Sequence, residues 1–308
     1  MKQASDSGIN KLARIAETLV PVISFLVVFV PLLVLRPRIY SSAYYGQLNL
    51  LMNLAIPIAL ATLAQMLAMS IGEIDFSIET LVSLVTCIVG AVLTKNPLLG
   101  FAMLAGIVVI YMLIGAFIHL KKLPSIIITI GMSFIWTGIA VTIQPTPGGD
   151  IPKIIVDIMR YKPPLLPLPI YLAVILALVG HFIMFKTNFG ILARGVGDNV
   201  KSIQQAGHSV LKIRIMVFGL VAVFGILSGV ALAGLTTSSD SLLAKNYTML
   251  AVASVILGGG AFAMHLVTSL LVALKISPDW QAGVQGVIIL LALYIGGFFK
   301  RTKKVHYI

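Results

Sequence analysis

The strongest constraint on this chain is that apolar runs follow one another almost from end to end. They cover 19–35, 48–70, 77–94, 98–118, 125–143, 169–185, 213–235, 247–257, 261–274 and 284–299, separated by short stretches of charge, Pro and Gly. Most reach the roughly 17–25 residues a tilted helix needs to cross the hydrocarbon of a bilayer. Lipid offers no partners to backbone amides, so runs of this kind are helices that satisfy their own hydrogen bonds. The expected fold is an all-α polytopic membrane helix bundle of about ten spans. It forms one domain over 1–308, with 1–18 as a cytoplasmic N-terminal segment and 300–308 as a basic cytoplasmic tail. Composition agrees: 59% of residues are hydrophobic and 10% charged, where soluble domains carry about 25% charged residues. Lys11 and Arg14 precede the stretch Leu19–Leu35, and Arg36-Pro37-Arg38 follows it without a small-residue cleavage site. That arrangement reads as a retained first span and not as a removed signal peptide.

A net charge of +12 raises the question of nucleic acid. The 22 Lys and Arg are dispersed between apolar runs, neither gathered on one face nor interleaved with aromatics. Flanking basic residues are what membrane orientation and anionic lipid headgroups call for, so a nucleic-acid partner is excluded and membrane lipids are the expected neighbours. With the N-terminus in the cytoplasm, the inside segments hold Lys2, Lys11, Arg14, Lys121, Lys122, Lys186, Arg194, Lys201, Lys212, Arg214, Lys300, Arg301, Lys303 and Lys304. The outside segments hold the smaller set Arg36, Arg38, Lys95, Lys153, Arg160, Lys162, Lys245 and Lys275. The excess inside sets both termini in the cytoplasm of a multi-pass bacterial inner-membrane protein.

Two polar segments are long. Residues 144–168, with Pro145, Pro147, Gly148, Gly149, Pro152, Pro163, Pro164 and Pro167, suit an outside loop of turns and short extended pieces. Residues 186–212 fall inside, lack Pro, and predict a short helix over 199–206.

Three of the ten acidic residues, Glu73, Asp75 and Glu79, cluster at the start of the third run. Carboxylates at a span boundary are costly and mark function or capping. In one reading they couple a secondary transporter to protons. In the other, Gly72 breaks the chain and Asp75 or Ser77 caps the next helix. The string Gly195-Val-Gly-Asp-Asn-Val-Lys-Ser202 nearly matches a phosphate-binding loop, but Val200 stands at the second required glycine. A β-branched residue cannot take the conformations that wrap a phosphate, and no strand precedes the string. The chain is therefore not expected to hydrolyse ATP itself or to be an enzyme. The five histidines are scattered and the single cysteine, Cys87, sits in an apolar run, so neither metal, disulfide nor cofactor is expected. Trp136 and Trp280 near span ends read as interfacial anchors. Asn53, Gln65, Ser83, Thr129 and Ser133 within the spans suit either a solute path or bonds to neighbouring helix backbones.

Four strings in order carry a family likeness. Gly72-Glu73-Ile74-Asp75-Phe76-Ser77 is followed by Gly197-Asp198-Asn199 with Gly207 and Lys212-Ile213-Arg214-Ile215. Ser228-Gly229 and Ile256-Leu257-Gly258-Gly259 come next, and Trp280-Gln281 with the run Val287–Leu293 closes the series. Across roughly residues 20–300 the chain resembles the ribose-type permeases of ABC importers, which serve monosaccharides, autoinducer-2 and nucleosides. Asp198, Gln204 and His208 stand where that family usually has Gly, Arg and Ile, and the stretch after Gly259 is shortened.

The resemblance implies a permease subunit for a small polar solute, a monosaccharide by family frequency. It implies a separate ATP-binding cassette ATPase docked on the cytoplasmic loop, with Gly197, Asp198, Asn199, Gln204, Gly207, His208 and Lys212 as coupling residues. A periplasmic or extracellular solute-binding protein would deliver the solute, and the permease would pair with itself or a paralogue. Gly258, Gly259 and Gly260 are expected to separate two short half-helices that need a second permease subunit beside them.

Overall fold

The computed structural model describes residues 49 and 52–256, with 280, 283, 284, 286 and 287. Leu48–Ala251 is one compact unit; Met1–Gln47 and Val252–Ile308 make up another, in which Trp280 is exposed. All contacts below lie within the first. The expected half-helices around Gly258, Gly259 and Gly260, the runs 19–35 and 261–274, all of 284–299 but 284, 286 and 287, and both termini fall outside the described residues.

Ten α-helices occur among the described residues, in the order α1 Ala55–Ser70, α2 Ile78–Cys87, α3 Pro97–Lys121, α4 Ser125–Ile143, α5 Lys153–Met159, α6 Leu168–His181, α7 Asn188–Asp198, α8 Val200–Gln205, α9 Val210–Thr236 and α10 Tyr247–Ile256. Two carry π-helical extensions: Ile88–Leu93 prolongs α2 and Phe182–Lys186 prolongs α6. Four are long and apolar enough to cross a membrane: α3, α4, α6 with its extension, and α9. α1, extended α2 and α10 are apolar but shorter.

Burial sorts these helices. α9 is the hub, packed against α1, α2, α3 and α5. Small residues allow that closeness. A Cβ on Gly229 would lie 2.5 Å from the Val85 Cβ and 2.8 Å from the Val82 carbonyl, and the Ser228 hydroxyl donates to the Pro57 carbonyl at 2.7 Å. Small residues at helix crossings are the usual means of association where lipid supplies no hydrophobic drive. α3, α4 and α6 turn outward instead, exposing Leu113, Phe117, Ile127, Phe134, Val174 and Leu178. Among helices of this hydropathy, such a face is suited to apolar surroundings.

Segment 144–168 contains more structure than its Pro and Gly content suggests. α5 begins after Pro152 and packs Ile155 and Met159 on Gly234 of α9. Gly148 forms an isolated antiparallel bridge with Ser239, and the Asp150 amide donates to the Gly90 carbonyl at 2.9 Å. Trp136 corrects the interfacial reading: it is buried in α4 and stacks on Tyr111 of α3 at 6.1 Å between ring centroids.

Candidate functional site

Extended α2 is the short member of the bundle. Its ten α-helical and six π-helical residues rise about 24 Å, against roughly 30 Å of hydrocarbon. The missing depth is made up by the non-helical stretch 71–77, which enters the bundle from the end of α1. Gly72 takes φ 78°, a left-handed conformation that other residues adopt at a steric cost, and the chain turns there.

A backbone without helical bonds at this depth needs other partners, and the first turns of α4 supply them. The Ser125 hydroxyl accepts the Ile74 amide at 3.4 Å and the Thr129 hydroxyl accepts the Phe76 amide at 3.0 Å. Asp75, fully buried, accepts both the Ser77 amide at 2.7 Å and the Ser77 hydroxyl at 2.6 Å on Oδ1. The single Ser77 hydroxyl hydrogen is thus committed, so Tyr111 is the donor in its 2.8 Å contact with Ser77. Among the described residues Asp75 Oδ2 and Trp136 Nε1 have no hydrogen-bond partner.

This geometry corrects the expected cap. Neither Asp75 nor Ser77 accepts a first-turn amide of α2; Asp75 binds the residue before the helix, as an Asx turn does. The capping side chain comes from across the fold: the Thr248 hydroxyl accepts the Glu79 amide at 3.1 Å. Glu79 reciprocates, its Oε2 accepting the Asn246 amide at 3.1 Å just before α10 begins. Two helix N-termini therefore cap each other.

Glu79 is the first of three polar residues on one face of α2, at a spacing of four and three. Ser83 accepts the Ala244 amide at 3.0 Å, and Thr86 donates to the Asp240 carbonyl at 3.3 Å. Ser239 lies beside Gly90, one turn further out. Residues 239–246 consequently run antiparallel to α2, irregular in backbone yet bonded to its side chains. Lys245 precedes Asn246, whose amide bonds Glu79, and so lies toward the Ile78 end of α2 and away from its Leu93 end.

The segment between α6 and α9 folds as α7 and α8. The side chains of Thr187, Asn199 and Ser209 accept the amides of Gly190, Ser202 and Lys212, opening α7, α8 and α9 in turn. The expected helix over 199–206 is α8, while Gly195–Asp198, part of the near phosphate-loop match, is helical within α7. Asp198, Asn199, Gln204, Gly207, His208 and Lys212 are exposed. Gly197 is exposed as well, and it also presses on the start of the acidic motif: a Cβ there would come within 3.3 Å of the Gly72 nitrogen and overlap the Ser70 carbonyl oxygen. One turn into α9, Arg214 forms an ion pair with Glu73 at 2.5 Å, both side chains 15% exposed. The two strings that were far apart in sequence, 72–77 and 197–215, are thus in contact.

Residues 47–293 match the family model described as the permease component of branched-chain amino acid transport systems. The chain belongs to this family. Among relatives, the permease is 26% identical over 254 residues to the autoinducer 2 import system permease protein LsrC of Yersinia pseudotuberculosis, covering 75% of this chain and 71% of that one. It is 26% identical over 154 residues to the L-arabinose transport system permease protein AraH of Escherichia coli, covering 45% of this chain and 47% of that one. No solved structure matches it. These findings agree with the ribose-type ABC permease likeness carried by the motif order.

Of the five polar span residues, Ser83 and Thr129 bond backbone of other segments, and Ser133 bonds the Ile130 carbonyl of its own helix. Gln65 is buried with neither amide atom partnered, and Asn53 Oδ1 is also unpartnered. Among the described residues no group of acidic, His or Cys side chains could hold a metal ion. Sequence reasoning missed the descent of 239–246. The four-and-three spacing of Glu79, Ser83 and Thr86 is the signal that could have found it.

Proposed function

We propose that this permease is the transmembrane subunit of an ABC importer for a monosaccharide, driven by a separate ATPase that docks on α7 and α8 from the cytoplasm. The observation that carries the reading is the contact between segment 197–215 and motif 72–77. A push on α7 and α8 reaches Gly72 through Gly197 and Glu73 through Arg214, and from there the non-helical entry to α2. Binding of ATP to the partner biases inward- and outward-open packings through its differential affinity for them. A solute-binding protein serves the opposite face, beside 144–168, and a second permease subunit, identical or paralogous, completes the translocation unit. The sugar assignment draws on the family likeness and on the arabinose relative. Both termini lie in the cytoplasm of a bacterial inner membrane.

Proton coupling through the acidic cluster is not favoured. Glu73 is committed to Arg214 and Glu79 to the Asn246 amide. The decisive experiment places single cysteines at Gln204 and His208 on a Cys87→Ala background and co-expresses the ATPase. Crosslinks to the ATPase, together with ATP-dependent sugar uptake that Arg214→Ala uncouples from hydrolysis, are the expected result. Labelling of both positions from outside intact cells would overturn it.

A further inference from the structure

Extended α2 places Glu79 far below its outer end. From Leu93 to Glu79 the helix descends about 21 Å, and the antiparallel segment 239–246 brings Lys245 and Asn246 to the same level. Within a roughly 30 Å hydrocarbon this is deep. Glu79 and Asn246 are nevertheless half-buried and Lys245 is exposed. Lys245 directly precedes Asn246, whose amide bonds the Glu79 carboxylate at 3.1 Å.

An exposed ammonium and a partly exposed carboxylate at that depth cannot face lipid tails at tolerable cost; such groups face water or protein. Irregular backbone at membrane depth obeys the same rule, occurring where it is buried in protein or lines a water-filled cavity. Segment 239–246 meets α2 on one side through Ser83 and Thr86 and leaves Leu242 60% exposed on another.

We propose that the face bearing Glu79, Lys245 and Asn246 lines the aqueous path of the transported solute. Its chemistry fits an uncharged polyhydroxylated solute. The two formal charges cancel, so no net field selects an ion, while an ammonium, an amide and a carboxylate supply donors and acceptors for vicinal hydroxyls. The inference rests on the importer reading and deepens it by naming a path surface.

The test uses the assembled importer in proteoliposomes, on the Cys87→Ala background, with Lys245→Cys and Asn246→Cys made separately. Leu113→Cys and Val174→Cys, on the outward faces of α3 and α6, are lipid-facing controls. A charged, membrane-impermeant methanethiosulfonate is compared with a lipid-soluble maleimide. Because a thiolate forms only where water reaches it, both test positions are expected to react with the charged reagent at least about tenfold faster than the controls. Equal rates, or reaction with the lipid-soluble reagent alone, overturn the path assignment. D-Ribose or L-arabinose should slow labelling at Lys245→Cys during ATP turnover and leucine should not. Slowing by leucine, or by none of the three, overturns the solute class. Labelling needs no ATPase contact, so failure of the importer reading, seen as absent crosslinks at Gln204 and His208, is read separately.

Discussion

α3 and extended α2 are neighbours that cross the same bundle by opposite means. α3 is 25 residues long, opens on a conventional Asn96 cap accepting the Leu99 amide, and presents a broad apolar face outward. α2 is short, starts from a buried non-helical stretch, ends in a π-helical segment, and spends Glu79, Ser83 and Thr86 on the backbone of another segment. The first helix could sit in many membrane proteins. The second makes sense only beside the elements it serves, because its polar groups and those of 239–246 are satisfied jointly or not at all. The difference separates a helix that satisfies itself from one that depends on its neighbours.

The comparison breaks most readily at its small residues. Gly229 faces α2, where an added Cβ would collide with Val85 and the Val82 carbonyl, whereas Gly131 on outward-facing α4 has no atom within 4 Å of an added Cβ. Gly229→Ala should cost about 1–3 kcal/mol through overpacking. Gly131→Ala should be neutral or gain up to about 1 kcal/mol from helix propensity. Thermal unfolding of the purified permease in detergent measures both. Equal shifts would mean that α9 and α2 are not packed this closely.

A smaller effect sharpens the same contrast. Ser83→Ala leaves the buried Ala244 amide without its acceptor and should cost about 1–3 kcal/mol. Ser133→Ala on α4 removes only a bond to its own helix, at the Ile130 carbonyl, and should change stability by less than about 0.5 kcal/mol. Transport should follow stability in the first variant and remain unchanged in the second. If both variants behave alike, the polar stripe on α2 is not what holds 239–246.

How much of this was legible follows the same division. The run 125–143 coincides with α4, 98–118 lies inside α3, and 213–235 lies inside α9, because continuous hydropathy is a local signal. α5 was not foreseen, since its roughly two turns are held by packing on Gly234 and not by propensity. The buried position of Trp136 depends on Tyr111, a residue on a different helix. The order of motifs identified the family, but the contacts of Gly197 with Gly72 and of Arg214 with Glu73 are long-range facts that a linear string does not contain. The bonding of 239–246 to α2 is hidden for a related reason: charge flanking an apolar run reads as loop unless the neighbouring helix is known to carry matching polar groups.

The smallest expected effect falls on the residue that looks most exceptional. Asp75 is fully buried, and Oδ1 alone engages Ser77 while Oδ2 has no partner. An asparagine at this position keeps an acceptor where Oδ1 sits and replaces the unpartnered oxygen with an amide nitrogen. It loses no bond and removes an ionisable group from a site in which no cation faces it among the described contacts. Asp75→Asn should therefore retain transport to within about twofold, corresponding to less than about 0.5 kcal/mol. Asp75→Ala, by contrast, strands the Ser77 amide and hydroxyl and should cost about 1–3 kcal/mol. Uptake by the two variants at matched protein levels, measured across a pH series, distinguishes a structural acceptor from a proton carrier. Abolished uptake in Asp75→Asn with the protein still folded would transfer Asp75 from the scaffold of α2 to the transport chemistry and revive proton coupling as the driving force.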